Sequence, residues 1–521
     1  MGDRRPPGRW SRVTETLQLG IVVGYLLVAL AIGLIAYRVT ERTAEDFYLA
    51  SRTFGTVVLL FTVFATLLSA FTFFGGPDTA YAFGPEWILV MGLMDGIIFA
   101  VLWYVIGYKQ WLLGNKHGYV TLGEMLGDRF ASTTLRTLVA VVSLFWLFPY
   151  VMLQQIGAGG ALAALTGGAF PFWAGATLIT AFMILYVVLA GMRGIAWTDT
   201  LQGAFMLLMV WVAALWVLVA VGGISVPNAG LAADHPEFFA LGSDFYTPGT
   251  MLTFAISIAF GVAMFPQVNQ RFFAASSETV LKRSLALWPV LVLLLFVPAF
   301  ILGTWAQGLG LEADIAAGES ILPVILSEYT PAWFAALVIA GAIAAMMSSS
   351  DSMLLSGSSY FTRDVYRPLI DSTITERRED LLGRIGVVVF AVAALGASIW
   401  AEAGAFGAMA VGSILVEIGD LAFGGFAQLA LPVIVALYWR RTTRQGMIAG
   451  VLVPQLVYIA FNFLPEVAVG SIVLFSDVYL GWGISIYCMV LGALVTVGVS
   501  AVTVQSPDED TTLYFEGLTA D

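Results

Sequence analysis

A chain of 521 residues that is 59% hydrophobic and only 11% charged, with a mean hydropathy of +0.90, is too apolar for a soluble globular domain. Its net charge of −12 argues against a nucleic-acid-binding face. One cysteine (Cys488) and two histidines (His117, His235) exclude a disulfide framework, a cysteine cluster and a histidine-built metal site. What remains is a polytopic membrane protein bathed in lipid, and nothing in the sequence calls for an obligatory protein partner.

Thirteen apolar runs reach spanning length: 17–37, 57–82, 87–106, 138–165, 170–189, 200–221, 250–265, 285–305, 333–360, 385–400, 406–439, 447–463 and 480–502. The N-terminus is rich in Arg and Pro and lacks the pattern of a cleavable signal peptide, so the first run is expected to span. Gly75-Gly76-Pro77, followed by Asp78, interrupts the second run. Gly261 interrupts the seventh, and Phe265-Pro266-Gln267 closes it. The two interrupted runs are five apart. Helix breakers at matching places in two five-helix halves point to an inverted repeat with a site near the bilayer midplane. Asp95 in the third run is an acid without an evident partner; so are Glu417 and Asp420 in the eleventh, three apart and able to share a helical face. That eleventh run is long enough to bend or break at Pro432. The segment 503–521 is acidic and is expected to be disordered.

Basic residues set the expected orientation. Nineteen of the 23 fall in odd-numbered connections, among them Arg52, Arg129, Arg136, Arg193, Arg271, Arg363 and Arg440, and the even-numbered connections carry acids instead. The excess of Lys and Arg on cytoplasmic loops then puts the N-terminus outside and the C-terminus inside. Arg4, Arg5, Arg9 and Arg12 in the N-terminal tail run against this assignment.

The ninth run carries Ala344-Ala345-Met346-Met347-Ser348-Ser349-Ser350-Asp351-Ser352 at a depth where no water satisfies polar groups. Ala345, Ser348, Ser349 and Ser352 fall at i, i+3, i+4 and i+7 and share one helical face, which reads as a small cation site. Asp199 opens the sixth run in Trp197-Thr198-Asp199-Thr200-Leu201-Gln202. Two readings stand for it. It is a helix cap at the cytoplasmic surface, or it packs against the ninth run near Asp351 and Ser352 as part of a second cation or proton site.

Over roughly residues 43 to 450 the chain resembles the sodium:solute symporter family. Its most specific pieces are Gly191-Met192-Arg193-Gly194-Ile195-Ala196 leading into the Asp199 segment, and Ala345 to Leu355. Phe265-Pro266-Gln267 through Arg271, Pro149-Tyr150 with Gln154, and Leu431-Pro432 through Trp439-Arg440 support it. The resemblance implies an all-α polytopic protein of about thirteen transmembrane helices, with a LeuT-like core of two inverted five-helix repeats. In that layout an external tail (1–16) and one extra helix (17–37) precede the repeats (57–221 and 250–439). Two further helices (447–502) and a cytoplasmic tail (503–521) follow. It also implies a Na+ held by the carbonyls of Ala65, Leu68 and Ala345 and the hydroxyls of Ser348 and Ser349, five oxygens without a full charge. Some members hold a second Na+ through an aspartate where Asp199 stands and hydroxyls one turn further on; here Ser352 supplies one and Asp351 stands in the neighbouring place. One Na+ per solute is therefore the default. The substrate pocket is expected among Ser69, Phe71, Phe74 and Gly75, Tyr150 and Gln154, and Ala263 to Gln267. Leu67 stands where the proline branch has an acid, so that branch's details do not transfer.

The resulting expectation is a Na+-coupled symporter of the plasma membrane that imports a small organic solute by alternating access, an organic acid or amino acid rather than a sugar. A transporter-like solute sensor and a proton-coupled transporter of the same fold are the alternatives. The segment after Val502 is short for the relay domain such sensors carry, and no nucleophile–base or metal constellation suggests catalysis.

Overall fold

The computed structural model describes residues 12–39, 43–243, 245–312, 320–403, 411–469, 472–474, 476–509, 512 and 514–515. Among these, eleven continuous helices are long and apolar enough to cross a membrane, and two bent pairs bring the spans to thirteen. They are α1 (Thr16–Tyr37), α2 (Thr56–Leu67, then Phe71–Phe83), α3 (Ile88–His117), α4 (Thr133–Leu165), α5 (Phe172–Leu189), α6 (Gly191–Ala220) and α7 (Pro248–Met264, then Pro266–Ala274). They continue with α8 (Glu278–Gly308), α9 (Ala332–Leu369), α10 (Glu376–Ala403), α11 (Leu415–Tyr438), α12 (Arg444–Phe463) and α13 (Ile484–Val502). Two short hairpins between α12 and α13, Val467–Val469 with Ile472–Leu474 and Val478–Tyr479 with Trp482–Gly483, depart from the all-helical expectation.

Burial sorts the helices into a centre and a rim. Every residue of α9 from 338 to 360 is buried, so this helix is wrapped on all sides by others. It packs against α6, α4, α1 and α10. On the rim, large apolar side chains such as Leu27, Val141, Leu208, Val389 and Leu494 stay exposed, as lipid-facing helices require. α5 and α6 run almost end to end and turn at Gly191, whose φ of +56° suits glycine. A Cβ there would also sit 2.7 Å from the Phe47 carbonyl.

The two bent spans do not break where both sets of Gly and Pro stand. α2 breaks at Leu68, which is extended, and bends by 67° before Phe71. Gly75-Gly76-Pro77 lies inside its second half, α2b, where Phe71–Gly75 forms a π-helical turn. The glycines there serve packing: a Cβ on Gly76 would meet Phe300 at 2.1 Å. In α7 the break falls at Phe265-Pro266 as expected, with a bend of 58°, and the second half, α7b, extends to Ala274. Gly261 stays helical, and its missing Cβ lets the α11 backbone approach, since a Cβ would lie 2.2 Å from the Phe423 carbonyl. α11 runs through Pro432 as one helix. The part of the expected run at 406–410 lies outside the described residues, as do Arg4, Arg5 and Arg9.

At one end of the bundle the basic connections knit together. Arg52 donates to the carbonyls of Phe273 (3.0 Å) and Tyr119 (2.8 Å). Arg136 and Arg363 both reach Glu124 Oε1, at 3.1 and 2.9 Å, and Arg193 pairs with Asp46. Burial alone would raise the Glu124 carboxyl, but Arg363 and Arg136 hold it below its ordinary value.

The expectation of a disordered tail does not hold for its described residues. Tyr514 is fully buried and donates to the Met125 carbonyl at 2.7 Å, and Gln505 Nε2 donates to the carbonyls of Arg440 and Thr442. Composition showed the acids but not the Tyr514-Phe515 pair, which brings enough apolar surface to dock.

Candidate functional site

The break in α2 leaves backbone groups without helical partners, and side chains from other helices take them up. In a continuous helix the Ala70 N–H would close on the Thr66 carbonyl. Here it donates to Gln154 Oε1 of α4 at 2.9 Å. The Thr66 carbonyl instead accepts from Ser349 Oγ of α9 at 2.9 Å, and the Leu68 carbonyl accepts from the same hydroxyl. Ser349 therefore ties the buried central helix to the break. Ala65 lies fully buried in the last turn of α2a, the first half of α2 (Thr56–Leu67), and Ser69, whose N–H a continuous helix would give to the Ala65 carbonyl, lies within the break. Ala345 is one turn before Ser349 on α9 and is also fully buried. Gly157 of α4 gives the room for this approach: a Cβ there would be 2.5 Å from the Ala70 Cβ and 3.1 Å from Met346 Sδ.

Directly beside this junction lies a charged cluster closed off from water. Asp199 is no surface cap. α6 begins at Gly191, so Asp199 sits two turns into the helix with no exposed surface. Its Oδ1 accepts from Ser348 Oγ at 2.6 Å. Its Oδ2 accepts from Thr62 Oγ1, from Thr66 Oγ1 at 3.4 Å and from Arg271 Nη2 at 3.1 Å. Arg271 is equally buried. Its Nε donates to the Thr62 carbonyl and hydroxyl (3.2 and 3.1 Å), Nη1 to the Gln267 carbonyl (2.9 Å) and Nη2 also to Ser352 Oγ. Ser352 Oγ lies 2.8 Å from Thr66 Oγ1. One guanidinium thus joins α7b to α2a, α6 and α9. Removing either ion from such a pair strands a charge in a low-dielectric interior.

Of the residues singled out for a second cation, Asp199 and Ser352 share this cluster, and Asp351 stands apart. Asp351 has no exposed surface, and neither carboxylate oxygen has a hydrogen-bond partner among the described residues. Sequence reading missed Thr62 and Thr66, and it counted Arg271 as a cytoplasmic loop residue. Arg271 lies instead in the buried half-helix α7b. A signal was present: the second of the two readings of Asp199, packed against the ninth run, demands a cation, and Arg271 follows the Pro266 break by five residues.

The expected substrate residues gather between the two breaks. Tyr150 OH donates to Ser69 Oγ at 3.2 Å, and Gln154 bridges the Tyr150 carbonyl and Ala70 N. Tyr150, Phe265 and Phe423 pack ring on ring at 5.2–5.5 Å between centroids, and Phe71 reaches Phe423 at 5.6 Å. Gln267 is fully buried, and neither amide atom has a partner among the described residues. Ala263 is buried one turn before the break in α7. Phe74 and Gly75 lie further along α2b, where Gly75 packs against Val416.

Two broken helices crossing at a buried polar cluster, with a fully buried helix behind them, define a secondary transporter rather than an enzyme. The profile of the sodium:solute symporter family matches residues 47–454, and the chain belongs to that family. It is a Na+-coupled symporter with a LeuT-like core. It is 27% identical to the sodium/pantothenate symporter of Escherichia coli (strain K12) over 451 residues, covering 85% of this chain and 90% of that protein. It is 26% identical to the sodium/proline symporter of Haemophilus influenzae over 457 residues, 84% of this chain and 86% of that one. A Na+-coupled sialic acid symporter solved in a substrate-bound, outward-open state shares the fold, with a TM-score of 0.76, 21% identity and coverage of 94% and 99%.

Proposed function

We propose that the protein brings a small organic acid or amino acid into the cell together with one Na+. The observation that carries this reading is the Ser349 hydroxyl, which bridges α9 to the freed carbonyls of Thr66 and Leu68 at the α2 break. With the carbonyls of Ala65 and Ala345 and the Ser348 hydroxyl, it forms an oxygen seat without formal charge, suited to an ion that must be released in each cycle. Na+ in that seat would draw α2 and α9 together and favour the state ready for solute.

Arg271 supports one Na+ rather than two. The carboxylate that a second cation would need already has a guanidinium on Oδ2 and hydroxyls on both oxygens. The solute would sit between the breaks, against Ser69, Phe71, Phe74, Gly75, Tyr150, Gln154 and Ala263. Gln267 offers a buried amide whose donor and acceptor have no hydrogen-bond partner among the described residues. Aromatic rings and amide side chains as the lining suit a compact acid or amino acid better than a polyhydroxyl sugar. Residues 57–221 and 250–439 would be the two repeats, flanked by 17–37 and 447–502. The interlocked arginines support the reading in which this end of the bundle faces the cytoplasm, with the N-terminus outside and the segment 503–521 inside.

The test is uptake into proteoliposomes of labelled monocarboxylates, pantothenate-like amides, amino acids and sugars under an inward Na+ gradient. Saturable accumulation of an acid or amino acid, with none of a sugar, is the expected result. Accumulation of sugars alone would contradict the solute class.

A further inference from the structure

The described part of the C-terminal segment does not trail away from the bundle; it straps the end of the bundle where the arginines interlock. Arg129, at the end of the short helix Leu122–Arg129, is 1% exposed. Its guanidinium lies 4.9 Å from the centre of the Phe130 ring, 4.8 Å from Tyr514 and 5.1 Å from Phe515. Its N–H groups donate to the carbonyls of Ala436 and Trp439 at the end of α11. Burial brings the group down to about 10, so it stays charged at neutral pH and keeps its attraction to the rings. The same Phe515 ring lies 4.6 Å from Lys109 Nζ of α3 and 5.1 Å from Arg440. Lys109 also donates to the Leu437 carbonyl of α11. Upstream, Thr503 bonds Thr443 at 2.7 Å, and Glu509 Oε1 accepts from the N–H groups of Arg444 and Ser506.

These contacts gather three elements: the end of α3, the helix Leu122–Arg129 and the α11–α12 turn. The end of α3 in turn holds the end of α7b, because Trp111 Nε1 donates to the Ala275 carbonyl at 2.9 Å. For Na+ and solute to leave toward this face, α7b and α2a must part from their neighbours, and α3 follows α2 directly in the chain.

We propose that the Tyr514-Phe515 segment is a strap that holds the cytoplasmic side of the transporter closed. It does so by locking Arg129 and Lys109 between aromatic rings, and its release favours the inward-open state. The strap rests on the orientation given above, with this face toward the cytoplasm.

The experiment uses the full-length protein in proteoliposomes with Cys488 replaced by alanine and a single reporter, Ala274→Cys, at the fully buried end of α7b. Thiol-reagent labelling is measured from each side of the membrane. The Tyr514→Ala/Phe515→Ala variant, and a form ending after Val504, are expected to be labelled about tenfold faster than the parent from the cytoplasmic side, as loss of several desolvated cation–π contacts implies. Tyr514→Phe keeps the ring and loses only the bond to Met125, so it should stay near the parent. Equal labelling rates with and without the strap, in variants that retain Na+-dependent uptake, would overturn the proposal. Labelling of the parent only from the outside would overturn the orientation and the strap with it.

Discussion

Replacing Arg271 by glutamine is expected to abolish uptake in low Na+ and to destabilise the protein by about 3–5 kcal/mol, the usual result of breaking a buried ion pair from one side. Asp199 then keeps its charge with only Ser348, Thr62 and Thr66 to satisfy it. No water reaches it, since every one of these residues is fully buried. Two further outcomes separate this account from simple loss of packing. Raising Na+ should restore thermal stability far more steeply in Arg271→Gln than in the parent, because the freed carboxylate becomes a second seat for the ion. Adding Asp199→Asn to Arg271→Gln should recover most of the lost stability and remove the extra Na+ response, since neither charge then remains. A single variant as stable as the parent, or a double variant worse than the sum of the singles, would contradict the cluster's assigned role.

Ser349→Ala is expected to raise the Na+ concentration for half-maximal uptake about tenfold or more while leaving the protein folded, with a loss of about 2 kcal/mol of stability. The lost hydroxyl takes away two buried hydrogen bonds, each contributing about 1 kcal/mol net to folding. In the proposed seat, however, it would be one of five oxygens on an ion that must shed its water, and the remaining four could not close the shell. Solute affinity at saturating Na+ should change much less. Ser350→Ala is the matched control: it is as deeply buried, and its Oγ has no hydrogen-bond partner among the described residues. Ser350→Ala should leave the Na+ dependence where it was. A titration in which Ser349→Ala and Ser350→Ala superimpose on the parent would remove Ser349 from the ion's path.

How far the sequence could be read depended on what each residue was for. The thirteen runs and their order followed from hydropathy, because lipid enforces apolar length on every span. The serine face of α9 was legible because the hydroxyls of Ser348, Ser349 and Ser352, on one helical face with Ala345, have no other excuse at that depth. Breaks were harder. Pro266 did mark one, because proline removes an N–H and fixes φ. Gly75-Gly76-Pro77 misled, since those glycines make room for Phe300 and Val416 rather than ending a helix. The true break at Leu68 to Ala70 carries no breaker at all. It is held open from outside by Gln154 and Ser349, which are tertiary partners that no local pattern displays. Arg271 failed for a related reason. Positive-inside counting treats every arginine as a loop residue, whereas this one is drawn into the bundle by a carboxylate 72 positions earlier in the chain.

The most direct measurement is solute accumulation by the purified protein in proteoliposomes, with the external solution changed from sodium to choline or potassium at constant osmolarity and membrane potential. The structure predicts accumulation above equilibrium in sodium alone, falling to passive leak in either replacement. Equal accumulation in all three solutions would mean that the oxygens around Ser349 seat no driving ion.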